Sequence, residues 1–143
     1  MTDVLLATDA DAVYDEVEAA LADDTTQVRR VRAGIDVPPA VAEATPDLVV
    51  LDLQIGNMGG IATCIHLRHE AEEGRLPDVP VLILLDRGAD VMLARRSGAD
   101  GWLAKPLAAF TLRRPALAGM AGRAGETARP SAEPLLAGDV NPA

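Results

Sequence analysis

The chain has 143 residues, about one domain at roughly 150 residues each, with 49% apolar and 24% charged residues, a globular balance and not a disordered one. A formal charge of −9 argues against nonspecific nucleic-acid binding. A single cysteine, Cys64, excludes an internal disulfide and every cysteine-based metal cluster. The N-terminus carries no basic leader and the longest apolar run falls far short of ~18 residues, so the expectation is a soluble, cytoplasmic single domain without membrane contact. Its aromatics are Tyr14, Trp102 and Phe110 alone, which makes the core aliphatic and alanine-rich.

Val4-Leu5-Leu6-Ala7 is an apolar run too short for a helix and predicts a buried strand. Thr8-Asp9-Ala10-Asp11 offers N-caps for a helix with Val13, Val17, Ala20 and Leu21 on one face. Residues 27–31 predict a weak second strand, and a short helix from Pro38 to Ala44 follows Gly34. Residues 47–53 form the clearest strand, apolar on both faces as a central parallel strand is. After a loop from Gln54 to Gly60 comes a helix burying Ile61, Cys64, Leu67 and Ala71, stopped by Gly74 and Pro77. The pattern then repeats: a strand over 79–85, a turn at Asp86-Arg87-Gly88, a helix carrying Val91, Met92 and Ala94 and ended by Gly98, and a strand over 101–104. A last helix is expected over 109–117, shortened or kinked by Pro115.

Strands alternating with helices predict a doubly wound parallel sheet of five strands, order 2-1-3-4-5, with helices on both faces. The domain is expected over 1–118. Residues 119–143, where Gly, Pro and Ala fill 13 of 25 positions, are expected to form a flexible tail. Ligands of such sheets bind beyond the carboxyl ends of the strands, at the point where the winding reverses. The residues just past those ends are Thr8 and Asp9, Asp52 and Gln54, Leu85 and Asp86, and Lys105 with Pro106. Of 13 cations twelve are arginine; the lone lysine, Lys105, falls in this crevice. Two carboxylates facing each other stay ionised only with a cation between them. Mg²⁺ suits them, since it accepts one or two carboxylates and a carbonyl and keeps waters that a phosphoryl oxygen can replace. An aspartate is a competent nucleophile for acyl phosphate formation, and a lysine opposite is a compact partner for one phosphoryl oxygen.

Five stretches carry a family resemblance: Leu5-Leu6-Ala7-Thr8-Asp9; Pro46 to Leu53; Met58-Gly59-Gly60; Val79-Pro80-Val81; and Gly98-Ala99-Asp100-Gly101-Trp102-Leu103-Ala104-Lys105-Pro106. In these the chain resembles the response-regulator receiver domain of the chemotaxis-regulator type, over about residues 3–118, and the resemblance implies a flavodoxin-like fold. It further implies that Asp52 accepts a phosphoryl group from a histidine kinase or phosphotransfer protein. Asp9, Asp52 and the carbonyl of Gln54 would hold Mg²⁺, Lys105 would pair with the phosphoryl group, and Trp102 stands where the family carries its reorienting aromatic. Two positions depart from the family. Thr8 replaces the first of two acids, which implies weakened Mg²⁺ affinity. Leu85 replaces a hydroxyl residue and has no donor, and Asp86 beside it would repel a phosphoryl group if it faced the crevice.

Plainer readings compete residue by residue. Asp52 alone would suit a loop-capping role, Lys105 a salt bridge with Asp52 or Asp86, and Trp102 simple packing. Asp11 suits an N-cap or a solvated acid, His66 and His69 a solvent face, and Cys64 a small core position. Arg95-Arg96 and Arg113-Arg114 suit a solvated face, with partner contact as the minority reading. The expected function is a stand-alone, non-enzymatic receiver in a two-component or phosphorelay system. Its output would run through protein contacts at strand 5 and the last two helices, including a possible homodimer there. The first alternative is a pseudo-receiver that works as an interaction module without phosphorylation. A second rests on Asp9-x-Asp11, which resembles the nucleophile motif of haloacid-dehalogenase-type phosphatases; that motif is short, and Asp52 sits on the wrong strand for it.

Overall fold

The computed structural model describes residues 1–87, 90–105 and 116. The expected final helix over 109–117 (Ala116 apart), its Pro115, the pair Arg113-Arg114, Pro106 and the segment 119–143 lie outside the described residues.

The chain alternates β1 (Thr2–Ala7), α1 (Asp11–Leu21), β2 (Thr26–Val31), a 3₁₀ turn (Gly34–Asp36) running into α2 (Val37–Glu43), β3 (Leu48–Asp52), α3 (Gly60–Glu72), β4 (Val81–Leu85), α4 (Val91–Arg96) and β5 (Gly101–Ala104). Among the described residues these strands pair in parallel, in the sheet order β2-β1-β3-β4-β5. This is the flavodoxin-like doubly wound sheet expected from the apolar runs.

Side-chain alternation along the strands makes two cores. Leu5, Ala7, Val49, Leu51, Ile83, Leu85 and Trp102 face one way, against Val37 and Val41 of α2, Cys64 and Leu67 of α3 and Ala94 of α4. Val4, Leu6, Leu48, Val50, Leu82, Leu84 and Leu103 face the other way, against Val17, Ala20 and Leu21 of α1 and against Ala116. β3 and β4 are buried at every position because helices cover both faces. Edge strand β2 has no fully buried residue.

Local chemistry moved several expected boundaries. Val79 and Pro80 are buried but stand outside β4, since Pro80 has no N–H for a ladder; its carbonyl still accepts from Val49 N at 2.9 Å. No side chain caps α1: its N-cap is Ala10, whose N–H donates to the Thr8 hydroxyl at 3.1 Å. Met92 of α4 is 56% exposed, because a helix of six residues turns only Ala94 fully inward.

The loop between β3 and α3 carries two successive non-glycine residues in the left-handed region, Asn57 (φ 50°) and Met58 (φ 73°). Hydrogen bonds hold it from outside: Gly34 N to the Gly56 carbonyl at 3.0 Å, Ile35 N to the Asn57 carbonyl at 2.9 Å, and the Thr63 hydroxyl to the Met58 carbonyl at 3.0 Å. A Cβ on Gly34 would lie 1.9 Å from the Met58 carbonyl oxygen, so only glycine permits this approach.

Candidate functional site

β1 and β3 are neighbours whose following helices lie on opposite faces of the sheet, so the winding reverses between them. Their carboxyl ends carry Thr8 and Asp52. Strand β5 continues its ladder one residue past its end, Lys105 N donating to the Leu85 carbonyl at 2.8 Å, which holds Lys105 beside the end of β4.

The Asp52 carboxylate is only 3% exposed and both of its oxygens are engaged. Oδ1 accepts from Lys105 Nζ at 2.7 Å and from the Gln54 backbone N–H at 3.2 Å. Oδ2 accepts from the Thr8 hydroxyl at 2.7 Å. A buried carboxylate stays charged only when it is paired and hydrogen-bonded, and Asp52 is both. Asp86 Oδ1 is 2.9 Å from the other side of Lys105 Nζ. Burial alone lowers the proton affinity of the Lys105 ammonium, but its hydrogen bonds and charge interactions with Asp52 and Asp86 outweigh that effect and raise it.

Asp9 is exposed at the same edge, its Oδ2 3.7 Å from the point where a Cβ on Gly56 would stand. Among the described residues the Gln54 carbonyl accepts no hydrogen bond, and no group of three or more His, Cys, Asp and Glu is placed to hold a metal. The oxygens carried on the strand end and loops of this edge, the Asp9 and Asp52 carboxylates and the Gln54 carbonyl, are of the kind that suits a hard cation keeping several of its waters.

Leu85, expected to leave the site without a donor, and Asp86, expected to repel a phosphoryl group if it faced the crevice, point in different directions. Leu85 is fully buried in the core layer with Ile83 and Trp102, while Asp86 delivers its carboxylate to Lys105. Trp102 is 1% exposed, the Arg95 guanidinium stands 5.8 Å from its ring centroid, and Nε1 is buried without a partner among the described residues. His66 is half-buried and His69 exposed. Cys64 is buried, its thiol donating to the Ser97 carbonyl at 3.4 Å.

Two arginines escaped the sequence reading. Arg30 of β2 reaches across the sheet edge: Nε donates to the Thr8 carbonyl at 2.9 Å, Nη1 to Asp11 at 2.8 Å, and the guanidinium lies 5.2 Å from the centroid of the Tyr14 ring. It thus braces the loop that carries Asp9. Arg68 of α3 is buried and donates to the carbonyls of Val79 and Gly98 and to Asp78 and Asp100. A signal existed, since position 68 shares the helix face of Cys64 and Ala71 and a cation there needs an acid.

Comparison with known proteins agrees with this geometry. The model for the response regulator receiver domain matches residues 4–115. The transcriptional regulatory protein AfsQ1 of Streptomyces coelicolor is 30% identical over 109 residues, 75% of this chain and 46% of its own length. The DNA-binding dual master transcriptional regulator RpaA of Synechocystis is 32% identical over 108 residues, 74% of this chain and 44% of its own. The chain thus spans less than half the length of these curated relatives. Among solved structures, the signal receiver domain of a signal transduction histidine kinase from Syntrophus aciditrophicus aligns with a TM-score of 0.75 at 23% identity, covering 90% of this chain and 97% of that one. The receiver domain of the sensor histidine kinase PA1611 from Pseudomonas aeruginosa, solved with magnesium coordinated in its active-site cleft, aligns with a TM-score of 0.73 at 21% identity, covering 84% of this chain and 98% of that one. With its fold, its sheet-edge carboxylate and a family match over most of its length, the chain belongs to the response regulator receiver domain family of two-component signalling.

Proposed function

We propose that the domain accepts a phosphoryl group on Asp52 and passes the signal on through protein contacts. The observation that carries this reading is the buried Asp52 carboxylate, held at the sheet edge by Lys105, Thr8 and the Gln54 amide. In the step proposed, an Asp52 oxygen attacks the phosphorus of a phosphohistidine on a histidine kinase or phosphotransfer protein. An O–P bond forms, the N–P bond breaks, and the imidazole leaves with the electron pair. Asp9, Asp52 and the Gln54 carbonyl would hold Mg²⁺, which when bound supplies positive charge against the phosphoryl oxygens. Lys105 adds a further positive charge at the same edge, Thr8 orients the carboxylate, and Arg30 fixes the β1–α1 loop. Since Thr8 stands where a further acid would add charge, Mg²⁺ affinity is expected to be weak.

Output is proposed to run through α4 and β5, where Met92 and Leu93 are 56% and 50% exposed beside Arg95 and Arg96, either to a downstream protein or to a second copy. The domain is taken to span 1–118, which the core position of Ala116 supports, with 119–143 outside it. It is proposed to act in the cytoplasm as a signalling module and not an enzyme, making no contact of its own with nucleic acid or membrane; no helix among the described residues is long and apolar enough to cross a membrane. A phosphatase reading built on Asp9 and Asp11 lacks support: Asp11 is ion-paired to Arg30 and Arg32, and the Arg30 hydrogen bond and charge hold its proton affinity below the usual carboxylate range, which suits no general acid.

The test is the intact mass after incubation with Mg²⁺ and acetyl phosphate. The chain is expected to gain one phosphoryl group and Asp52→Asn none; no gain in the parent chain rejects the reading. That negative result would favour the pseudo-receiver, for which the buried, donorless Leu85 already speaks.

A further inference from the structure

Lys105 Nζ lies between two carboxylates, 2.7 Å from Asp52 Oδ1 and 2.9 Å from Asp86 Oδ1. The second partner follows from alternation at the end of β4, which turns Leu85 into the core and leaves Asp86 on the side of Lys105. The neighbouring cation does not satisfy Asp86, because Arg87 pairs with Asp90 at 3.3 Å. Among the described residues Lys105 is the ion-pair partner of Asp86. It is also the only lysine of the chain, so no neighbouring lysine can take its place.

We propose that Asp86 is a positioning residue that draws Lys105 away from a phosphoryl group on Asp52 and so limits how far the domain becomes phosphorylated. The proposal rests on the phosphoacceptor reading above. With acetyl phosphate, an Asp52 oxygen forms the bond to phosphorus, the bond from phosphorus to the acetate oxygen breaks, and acetate leaves with the electron pair. One negative charge on the carboxylate becomes about two on the phosphoryl group. That group and Asp86 then compete for the charge of a single ammonium, part of which Asp86 already neutralises at 2.9 Å. Asp86 is 32% exposed at the rim, so losing its charge leaves the core layer of Leu85 and Trp102 intact.

Three proteins test this: the parent chain, Asp86→Asn, which keeps the shape and removes the charge, and Asp86→Glu, which restores the charge. The first readout is the phosphorylated fraction by intact mass at limiting acetyl phosphate with Mg²⁺. The second is the rate at which an amine-reactive reagent labels Lys105 at neutral pH without phosphodonor or metal; the lone lysine makes this a single peptide. Asp86→Asn is expected to raise the phosphorylated fraction and the labelling rate by roughly threefold to tenfold, the scale of one partly screened ion pair. Asp86→Glu is expected to return both toward the parent. Equal phosphorylation of parent and Asp86→Asn overturns the proposal and leaves the phosphoacceptor reading standing. If neither gains mass, that reading is lost and the proposal with it.

Discussion

Leu85 and Asp86 are bonded neighbours with opposite fates, one fully buried and the other at the rim of the site, so substitutions there have different effects. Leu85→Thr restores the hydroxyl that the family carries, but the side chain enters an apolar layer. It is expected to lower stability by about 1–3 kcal/mol through lost methyl packing and an unpartnered hydroxyl, read from the urea midpoint. The charge on Lys105 behaves differently. Its proton affinity is raised in the folded chain, so its contribution to stability is fully present below the unfolded lysine value of about 10.4. It is lost only as pH rises through the higher folded value. Urea midpoints of the parent and Lys105→Met are therefore expected to keep a constant separation from pH 7 to 9 and to converge above about pH 10.4. Convergence at neutral pH would contradict the ion-pair geometry.

At the scale of elements, two contacts hold the loops and helices about the sheet. The 3₁₀ turn grips the β3–α3 loop through Gly34, where a Cβ would meet the Met58 carbonyl at 1.9 Å and the Thr63 hydroxyl at 2.5 Å. Gly34→Ala must push backbone away from backbone, and an expected cost of about 2–4 kcal/mol follows. Because the displaced loop also carries the Gln54 carbonyl, the variant is expected to bind Mg²⁺ more weakly by calorimetry. Arg68 joins α3 to the entry of β4 and of β5; Asp100 accepts from it at 2.8 Å and from Val81 N at 2.7 Å. Arg68→Met strips a buried acid of its cation and is expected to cost about 3 kcal/mol, measured by denaturation. The outer pair to Asp78, which is 47% exposed, adds little.

The described residues form one sheet with a helical layer on each face, and Ala116 contributes to the layer beside α1. If the domain ends near 118, deleting 119–143 leaves both core layers whole. The shortened chain is expected to unfold at the same urea midpoint as the parent; a lower midpoint would place part of that segment within the folded unit.

The apolar runs, their spacing and the handedness of parallel crossovers determined the element order and the strand order. Given that order, the meeting of Asp52 with Lys105 at one edge followed, because strand ends are fixed points of a parallel sheet. Asp9 was placed at that edge by the same logic. Tertiary structure alone decided the rest. The sequence shows where a strand ends but not which of two adjacent residues turns inward, so Leu85 and Asp86 were separated only in three dimensions. Arg30 and Arg68 find their acids and carbonyls across 10 to 32 residues of chain, beyond any local periodicity. The left-handed pair Asn57-Met58 carries no glycine to mark it; its conformation is held by hydrogen bonds to residues 34 and 35, a contact made only once the sheet has closed.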